Sequence, residues 1–498
     1  MTKYYNLALA SILILFTALA FANAITKAPW CDEGLFADPA LNLAINGHLG
    51  SNIQEPTGHP YVRYFRDLDR YTFWSVPFYF VTLASWFHLV NFSLISMRSL
   101  SILAGVALIL SWHYILTTIL PDRKAILWST SLISFDYAFI IAASNGRPDC
   151  LTAALGVAGL AFYLLLRHRT PLMALAGAFA LAWAAVFTHP LGLIHVANLG
   201  LVVFWFDRRP FRVPHLAVAV FPALLYALAW AAYIAEAPDV FLQQFTGHTG
   251  YRVGGIFSPL EAIITDVRGR YINAFWTIQS GITRLKVLVL ASYLLGLLGA
   301  TFHPSIRRTP GVSLLISLLA IDFAALAVLD TQKYPHYFIH VTPLFNALLG
   351  IVLWFLWTAT RVTKVVPIVL TFAVISLQLG GIVLRATRND YVNNYLPILR
   401  FVRTHVERGA LIMCGSQFIF DLKDDYEIVD DARLGYYSGK RPKLIIMDPV
   451  WNLVSTDREP EIQAHREKLS RDYRRVVQIG EYTIDVLEPE PRSAGQGL

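Results

Sequence analysis

Two neighbouring carboxylates, Asp32 and Glu33, directly follow the first apolar segment of the chain. A carboxylate can take a proton from an attacking hydroxyl group that lies within hydrogen-bonding distance. Ionisable groups beside a membrane are costly to keep there, so they are candidates for function. The structural alternative is that Asp32 caps a helix that begins near Gly34. We predict that Asp32 and Glu33 are catalytic residues.

A second group of chemically useful side chains lies at residues 333–337. Lys333, Tyr334, His336 and Tyr337 bring a cation, an imidazole and two phenols into one short stretch. Lysine and histidine can hold a phosphate group through charge-assisted hydrogen bonds. The alternative is an interfacial aromatic belt with a snorkelling lysine. We predict that Lys333, His336 and Tyr337 bind a phosphate group.

Further candidates follow the ends of two other apolar runs. Asp149 comes after Arg147 and Pro148, and because a proline breaks the preceding helix, Asp149 is also a suitable cap for the next one. We predict that Asp149 helps to shape the catalytic site and that Arg147 contacts phosphate. His189 is a possible member of the site, although a single histidine in this position is equally compatible with a structural role.

The loop after the first apolar segment also carries arginines, the residues best suited to bidentate phosphate contacts. We predict phosphate binding by Arg63 and Arg66, with a self-paired, solvated loop as the alternative because Asp67 and Asp69 lie beside them. The sequence contains no P-loop, dinucleotide fingerprint or metal-ligand spacing. We therefore expect no nucleotide, cofactor or metal.

The composition indicates what kind of protein must position these side chains. Of the 498 residues, 55% are hydrophobic and only 15% are charged, whereas soluble domains have about 25% charged residues. Apolar runs such as 125–143, 151–166 and 312–329 are about long enough for membrane helices, although the first and the last each contain one acid, Asp136 and Asp322. The net charge of +7 comes from short basic loops between such runs, which argues against nucleic-acid binding.

The order of the apolar runs predicts a polytopic α-helical membrane protein with about eleven spanning helices. A large polar and aromatic loop at residues 25–94 follows the first helix, and we interpret its segment 71–90 as interfacial rather than spanning. This interpretation places five short basic loops on one side, which the positive-inside rule identifies as the cytoplasm. The candidate site residues then all lie on the outer face.

The composition changes after residue 388. Strand-like runs at residues 410–413, 444–447, 476–479 and 483–487 alternate there with helix-like stretches at 395–406 and 461–473. This alternation predicts a C-terminal soluble α/β domain at residues 389–498, on the outer face, after a membrane domain at residues 1–388. The three cysteines give no disulfide framework, although a Cys31–Cys150 pair stays open as a minor alternative.

Four motifs, in this order, resemble those of the GT-C-type polyprenyl-phosphate-sugar transferases, in particular the protein O-mannosyltransferase and aminoarabinose transferase branch. They are Asp32-Glu33-Gly34, Arg147-Pro148-Asp149, Thr188-His189-Pro190 and Lys333-Tyr334-Pro335-His336-Tyr337. The chain departs from the family at His189, where lysine is common, and at Ser75-Val76-Pro77, where Lys-Pro-Pro is expected. The resemblance also implies that the first helix stays attached to its loop, so we expect an uncleaved N-terminus.

The resemblance implies transfer of a sugar from a polyprenyl-phosphate donor to a lipid, glycan or protein hydroxyl, with inversion. Asp32 would be the general base, while Lys333 and His336 would bind the lipid phosphate. A bacterial inner membrane with the site on the periplasmic side is the expected location. Two alternatives stay open: a transporter or flippase of lipid-linked saccharides, and a non-catalytic assembly subunit.

Overall fold

The computed structural model describes residues 2–56, 65–207, 213–250, 252, 254–359, 364–448, 451 and 460–487. Within this part of the chain, ten helices are long and apolar enough to cross a membrane, and a bent helix pair raises the number to eleven. The predicted number of about eleven spanning helices is therefore confirmed. The unbent helices that form these spans are α1 (Thr2–Thr26), α4 (Leu94–Ile119), α7 (Pro148–Leu166), α8 (Pro171–Thr188), α9 (Leu193–Asp207), α10 (Val213–Ile234), α13 (Lys286–Phe302), α15 (Val312–Leu329), α16 (Thr342–Ala359) and α17 (Val365–Arg388).

The bent pair is the run 125–143, which the sequence suggested as a single helix. It forms α5 (Arg123–Ser134) and α6 (Tyr137–Ala143), which meet at 61°. The break lies at Asp136, which accepts a hydrogen bond from the Phe139 N–H at 2.9 Å and so caps α6. Asn346 and Gln378 each donate to the same carboxylate at 3.0 Å, so donors from two other helices supply hydrogen bonds to this buried group.

The loop after α1 forms two helices that lie beside the bundle end. They are α2 (Cys31–Asn46), which ends at Gly47 in a left-handed conformation with φ 76°, and α3 (Phe78–Val90). At 13 residues, α3 is too short to cross a bilayer, in keeping with the interfacial interpretation. Aromatic contacts between Phe36 of α2 and Tyr79 and Phe80 of α3 hold the two helices together.

The remaining loops on this side contain short helices. The longest loop carries α11 (Pro238–Gly250), α12 (Pro259–Asp266) and a π-helix (Val267–Thr277), and a 3-10 turn (Pro335–His340) lies between α15 and α16. On the opposite side, α14 (Pro304–Arg307) joins α13 to α15. The loops at this end of the bundle thus hold most of the elements that carry candidate site residues.

The C-terminal region forms a five-stranded sheet with the strand order β2-β1-β3-β5-β4, which confirms the predicted α/β character. Strands β2, β1 and β3 are parallel, and β4 and β5 form an antiparallel hairpin. The short β2 was not predicted. The elements are α18 (Leu396–His405), β1 (Leu411–Cys414), α19 (Ile419–Leu422), β2 (Glu427–Val429), β3 (Leu444–Met447), α20 (Pro460–Asp472), β4 (Tyr473–Ile479) and β5 (Tyr482–Leu487).

The sheet region packs directly on α2. The Ser416 hydroxyl, just beyond β1, donates to the Cys31 carbonyl at 2.8 Å. A Cβ on Gly34 would lie 2.1 Å from the Ser416 carbonyl oxygen, so only glycine allows this approach. The Asp430 N–H, just beyond β2, donates to the Ile53 carbonyl at 2.7 Å. The carboxyl end of β1 therefore rests on the helix that carries Asp32, and that of β2 rests on the loop that follows this helix.

Candidate active site

A buried arginine connects the predicted site residues. Arg147, which precedes α7, pairs through Nη1 with Asp32 Oδ2, and its Nε donates to Asp149 Oδ2 at 2.8 Å. Its Nη2 lies 2.9 Å from His336 Nε2. Asp32 and Asp149 lie in the first turns of α2 and α7, and His336 lies in the 3-10 turn. Four predicted residues from three separate motifs thus meet at one guanidinium.

Exposure separates the two carboxylates that contact Arg147. The Asp149 side chain is 3% exposed, whereas that of Asp32 is 32% exposed. Burial alone would lower the pKa of Arg147, but the charge and hydrogen bond of Asp149, together with Tyr337 and Cys31, outweigh burial and raise the pKa. The guanidinium is therefore a permanent cation, and Asp32 is the carboxylate that an incoming molecule can reach.

His336 is a neutral hydrogen-bond acceptor in this arrangement. A guanidinium has only donors, so His336 Nε2 must accept from Arg147, and its proton is on Nδ1. Burial and the nearby charge of Arg147 lower the pKa of His336 to about 3. The predicted phosphate contact would therefore have to come from the Nδ1 proton of an uncharged ring rather than from an imidazolium.

His189 and Tyr337 lie together beside this cluster. His189 Nδ1 accepts from the Leu191 N–H at 3.2 Å, which leaves its proton on Nε2, 3.5 Å from the Tyr337 hydroxyl. Burial, Arg252 and Arg147 lower the pKa of His189 to about 3. The lysine expected here from the family resemblance would carry a charge, whereas His189 is neutral.

Glu33 points away from Asp32 into the protein. Its carboxylate is fully buried and accepts from Arg98 Nε at 2.7 Å and from Arg98 Nη2 at 2.6 Å. It also accepts from the backbone N–H groups of Gly146 at 2.7 Å and Trp30 at 2.8 Å. Burial raises the pKa of Glu33, but Arg98, Lys27 and these hydrogen bonds outweigh burial and lower it to about 2. The environment of Glu33 is that of a structural anion, in contrast to its predicted catalytic role.

Arg98 extends this buried pair to the end of the first spanning helix. Its Nη1 donates to the carbonyl groups of Ala24 at 2.5 Å and Lys27 at 2.8 Å, and its Nη2 donates to that of Ala28 at 3.1 Å. The Glu33–Arg98 pair therefore fixes the end of α1, the start of α2 and the residue before Arg147. The sequence contained a signal for it, since Arg98 lies inside an otherwise apolar helix.

Lys333 belongs to a different charged cluster. Its ammonium lies 3.4 Å from Asp266 Oδ1 and donates to the Ala327 carbonyl at 2.5 Å, with the side chain 8% exposed. Arg270, which sequence reasoning missed, lies 3.1 Å from Asp266 and 2.7 Å from Asp330. Burial lowers the pKa of Lys333 despite the opposing charge of Asp266. The structure thus does not bring Lys333 and Arg147 together, although both were predicted to bind phosphate.

The remaining predicted residues lie elsewhere. Arg66 is 60% exposed and pairs with Asp67 at 3.1 Å, in agreement with the self-paired alternative for this loop. Arg63 lies outside the described residues. Cys31, Cys150 and Cys414 are free thiols, so the Cys31–Cys150 disulfide is absent from this structure. In the described part of the chain, no group of three or more His, Cys, Asp or Glu side chains is arranged to hold a metal.

Comparison with solved structures identifies the architecture that carries this site. ArnT from Cupriavidus metallidurans bound to undecaprenyl phosphate superposes with a TM-score of 0.61 at 16% identity, over 97% of this chain and 98% of ArnT. An archaeal oligosaccharyltransferase, AglB from Archaeoglobus fulgidus, in complex with an inhibitory peptide and a dolichol-phosphate, gives a TM-score of 0.53 at 13% identity. That match covers 90% of this chain and 70% of AglB. The chain has the GT-C fold.

The likeness extends to the parts that build the site. Because the match to ArnT covers nearly all of both chains, the GT-C fold here includes the C-terminal sheet region as well as the membrane helices. No family model and no curated protein sequence matches the chain. At such low identity the fold is shared, while the residues around Arg147 have to be interpreted from their own geometry.

Proposed function

We propose that this integral membrane protein is an inverting glycosyltransferase that moves a sugar from a polyprenyl-phosphate donor to an acceptor hydroxyl. The observation that carries the proposal is a reachable carboxylate, Asp32, held against the buried cation Arg147 at one end of a GT-C fold. ArnT and AglB were crystallised with undecaprenyl phosphate and a dolichol-phosphate, which supports a polyprenyl-phosphate donor for this chain.

Asp32 is the proposed general base. One oxygen, Oδ2, is bound by Arg147, and the other, Oδ1, has a weak thiol donor, Cys31 Sγ, at 3.7 Å. Oδ1 is thus the oxygen that can accept the proton of the acceptor hydroxyl. As the acceptor oxygen forms its bond to the anomeric carbon, the bond from that carbon to the donor phosphate oxygen breaks. A single displacement of this kind inverts the anomeric centre.

Arg147 is the proposed cation for the leaving phosphate. Its contacts with Asp32, Asp149 and His336 each engage a different nitrogen, so Nη1 and Nη2 each retain a further proton for a phosphate oxygen. A cation fixed in advance where negative charge develops lowers the barrier. Asp149 acts by orienting this guanidinium. Lys333 can join the phosphate site only after its ammonium leaves Asp266.

The location of this chemistry follows from the loops. The ends of α1 and α17 and the start of α7 lie at one end of the bundle, whereas short basic segments such as Arg123-Lys124 and residues 167–169 lie at the other. By the positive-inside rule, the Arg147 cluster faces the outside, which is the periplasm if the membrane is a bacterial inner membrane. The charged residues of the candidate site lie at one end of the helix bundle. This favours an enzyme over a transporter, whose binding site is expected near the bilayer midplane. An assembly subunit would have no need of the Arg147 cluster.

Release of polyprenyl phosphate from a lipid-linked sugar tests the proposal. Purified protein, given a panel of polyprenyl-phosphate sugars and cell-envelope acceptors, should release free polyprenyl phosphate and yield a product of inverted anomeric configuration. Asp32→Asn should lower the rate by about 1000-fold, because the proton acceptor is lost. Asp67→Asn, an exposed carboxylate in the same loop, is the matched control and should retain full activity.

Two results would count against this function. Asp32→Asn turning over at the wild-type rate would remove Asp32 as the base. Movement of intact lipid-linked sugar across vesicles containing the protein, without bond cleavage, would favour the transporter alternative.

A further inference from the structure

Lys27 lies in an unusually positive environment. It directly follows α1, and its ammonium donates to Asn145 Oδ1 at 2.5 Å. Burial and the charges of Arg98, Arg385 and Arg147 lower the pKa of Lys27 to about 7, against the opposing effect of Glu33. Three arginines and one carboxylate therefore act on this lysine.

The carboxylates nearby are already engaged. The Glu33 carboxylate accepts hydrogen bonds from Nε and Nη2 of Arg98, and Asp32 and Asp149 pair with Arg147. In the ranges that the structure describes, the polar contact of the Lys27 ammonium is the neutral amide of Asn145. Lys27 thus has a neutral amide as its hydrogen-bond partner in a surplus of positive charge, where a bound anion would favour its protonated form.

Arg385 is the second cation at this place. It lies one turn before the end of α17, and its Nη1 contacts the Tyr137 hydroxyl of α6 at a long 3.4 Å. Its Nε is buried and has no hydrogen-bond partner among the described residues. Unpartnered buried donors are rare because each costs desolvation free energy. A guanidinium left in this condition is suited to an oxygen-rich anion.

The position of the two cations indicates the class of anion. Lys27 and Arg385 lie near the ends of α1 and α17, which pack together at the bundle end that carries the Arg147 cluster. Lipid phosphate groups occupy this level of a membrane, and basic pockets between helices bind them.

We propose that Lys27 and Arg385 bind a lipid-borne phosphate group between α1, α6 and α17. For the proposed reaction, this group is the phosphate of the polyprenyl lipid, held beside the Arg147 cluster at a place separate from the Lys333 cluster. The identity of the lipid rests on the proposed function, whereas the phosphate site itself rests on the contacts of Lys27 and Arg385. An anionic phospholipid has the same phosphate chemistry, so the test distinguishes the two sources.

Lipid binding to the delipidated full-length protein, measured by native mass spectrometry, tests the site without requiring turnover. The probes are a long-chain polyprenyl monophosphate, phosphatidylglycerol and inorganic phosphate, each titrated separately. Lys27→Gln and Arg385→Gln should each weaken binding of the polyprenyl monophosphate by about tenfold or more, as expected for loss of a charge-assisted hydrogen bond. Arg385→Lys should restore most of the affinity. Arg388→Gln removes an exposed charge from the same helix and should change the affinity less than about twofold.

Each result of this experiment either supports or overturns the phosphate site at Lys27 and Arg385. Wild-type affinity in both Lys27→Gln and Arg385→Gln, or an equal loss in Arg388→Gln, would overturn it. If phosphatidylglycerol binds as tightly as the polyprenyl monophosphate, and its binding also depends on Lys27 and Arg385, the phosphate site stands but its ligand is bulk anionic lipid. If inorganic phosphate binds and neither lipid does, the site does not bind a lipid. Because Asp32→Asn should bind lipid normally, a protein that binds lipid but never transfers a sugar contradicts the proposed function and leaves this site standing.

Discussion

Replacing Glu33 with glutamine should destabilise the whole site rather than remove one chemical step. Glutamine has nearly the same shape, but it leaves the buried guanidinium of Arg98 without a counter-charge. Removing one partner of a buried ion pair typically costs about 3–5 kcal/mol. We therefore expect Glu33→Gln to lower the free energy of unfolding by several kcal/mol and to displace Gly146, which donates to Glu33 from the position before Arg147.

The pKa of Glu33 gives an independent magnitude. A pKa lowered from 4.5 to about 2 corresponds to about 3 kcal/mol in favour of the folded, ionised state. Because the folded-state pKa is the lower one, this stabilisation is fully present above about pH 4.5 and is lost as the pH falls through about 2. The pKa thus gives a loss at neutral pH that lies at the lower end of the range of about 3–5 kcal/mol for a broken buried ion pair.

Denaturant unfolding of the purified protein in one fixed detergent provides the measurement. Asp67→Asn is the matched control, since its carboxylate is exposed and the loss of its exposed pair with Arg66 should cost about 1 kcal/mol or less. Replacing both partners, as in Glu33→Gln with Arg98→Met, should be less damaging than the two single losses together. If Glu33→Gln unfolds at the wild-type denaturant concentration yet loses all transfer, then Glu33 acts chemically and the structural interpretation is refuted.

Three further predictions concern the site and its support. Arg147→Lys should lower the rate of transfer by about 100-fold, since an ammonium cannot keep the three contacts of the guanidinium, and wild-type turnover would contradict this role. With a pKa of about 3, His336 should contribute no ionisation to the pH–rate profile between pH 5 and 8, and His336→Gln, which can still accept from Arg147, should be more active than His336→Phe. Gly34→Ala should loosen the sheet region, because its Cβ would lie 2.1 Å from the Ser416 carbonyl oxygen. Faster limited proteolysis and lower activity are expected for it, with Gly200→Ala, where no heavy atom lies within 4 Å, as the control.

The sequence predicted which segments form the site, but it did not predict the orientation and the partner of each side chain. Asp32, Asp149 and His336 were selected from motifs far apart in the chain, and the structure gathers them around Arg147. The inward turn of Glu33 depends on Arg98, a partner 65 positions away that no local pattern connects to it. A single sequence shows that charges are present, whereas their pairing is decided by helix packing.

The same limit applies to Lys333 and to the fold. Lys333 has a left-handed backbone with φ 58°, which local sequence did not predict, and its ammonium pairs with Asp266 rather than joining His336. Helix number and most strands followed from the spacing of apolar residues. The break at Asp136 did not, because an acid inside an apolar run is tolerated only when distant helices supply donors such as Asn346 and Gln378.

The contact between Ser416 and Cys31 joins positions that are 385 residues apart. During synthesis, every residue of the Arg147 cluster is made before β1 and Ser416, which support α2. A ribosome that stops short of residue 416 would therefore leave a chain with all its charged groups but with Gly34 and the start of α2 uncovered. The support of α2 by Ser416 is thereby completed only after synthesis has passed residue 416.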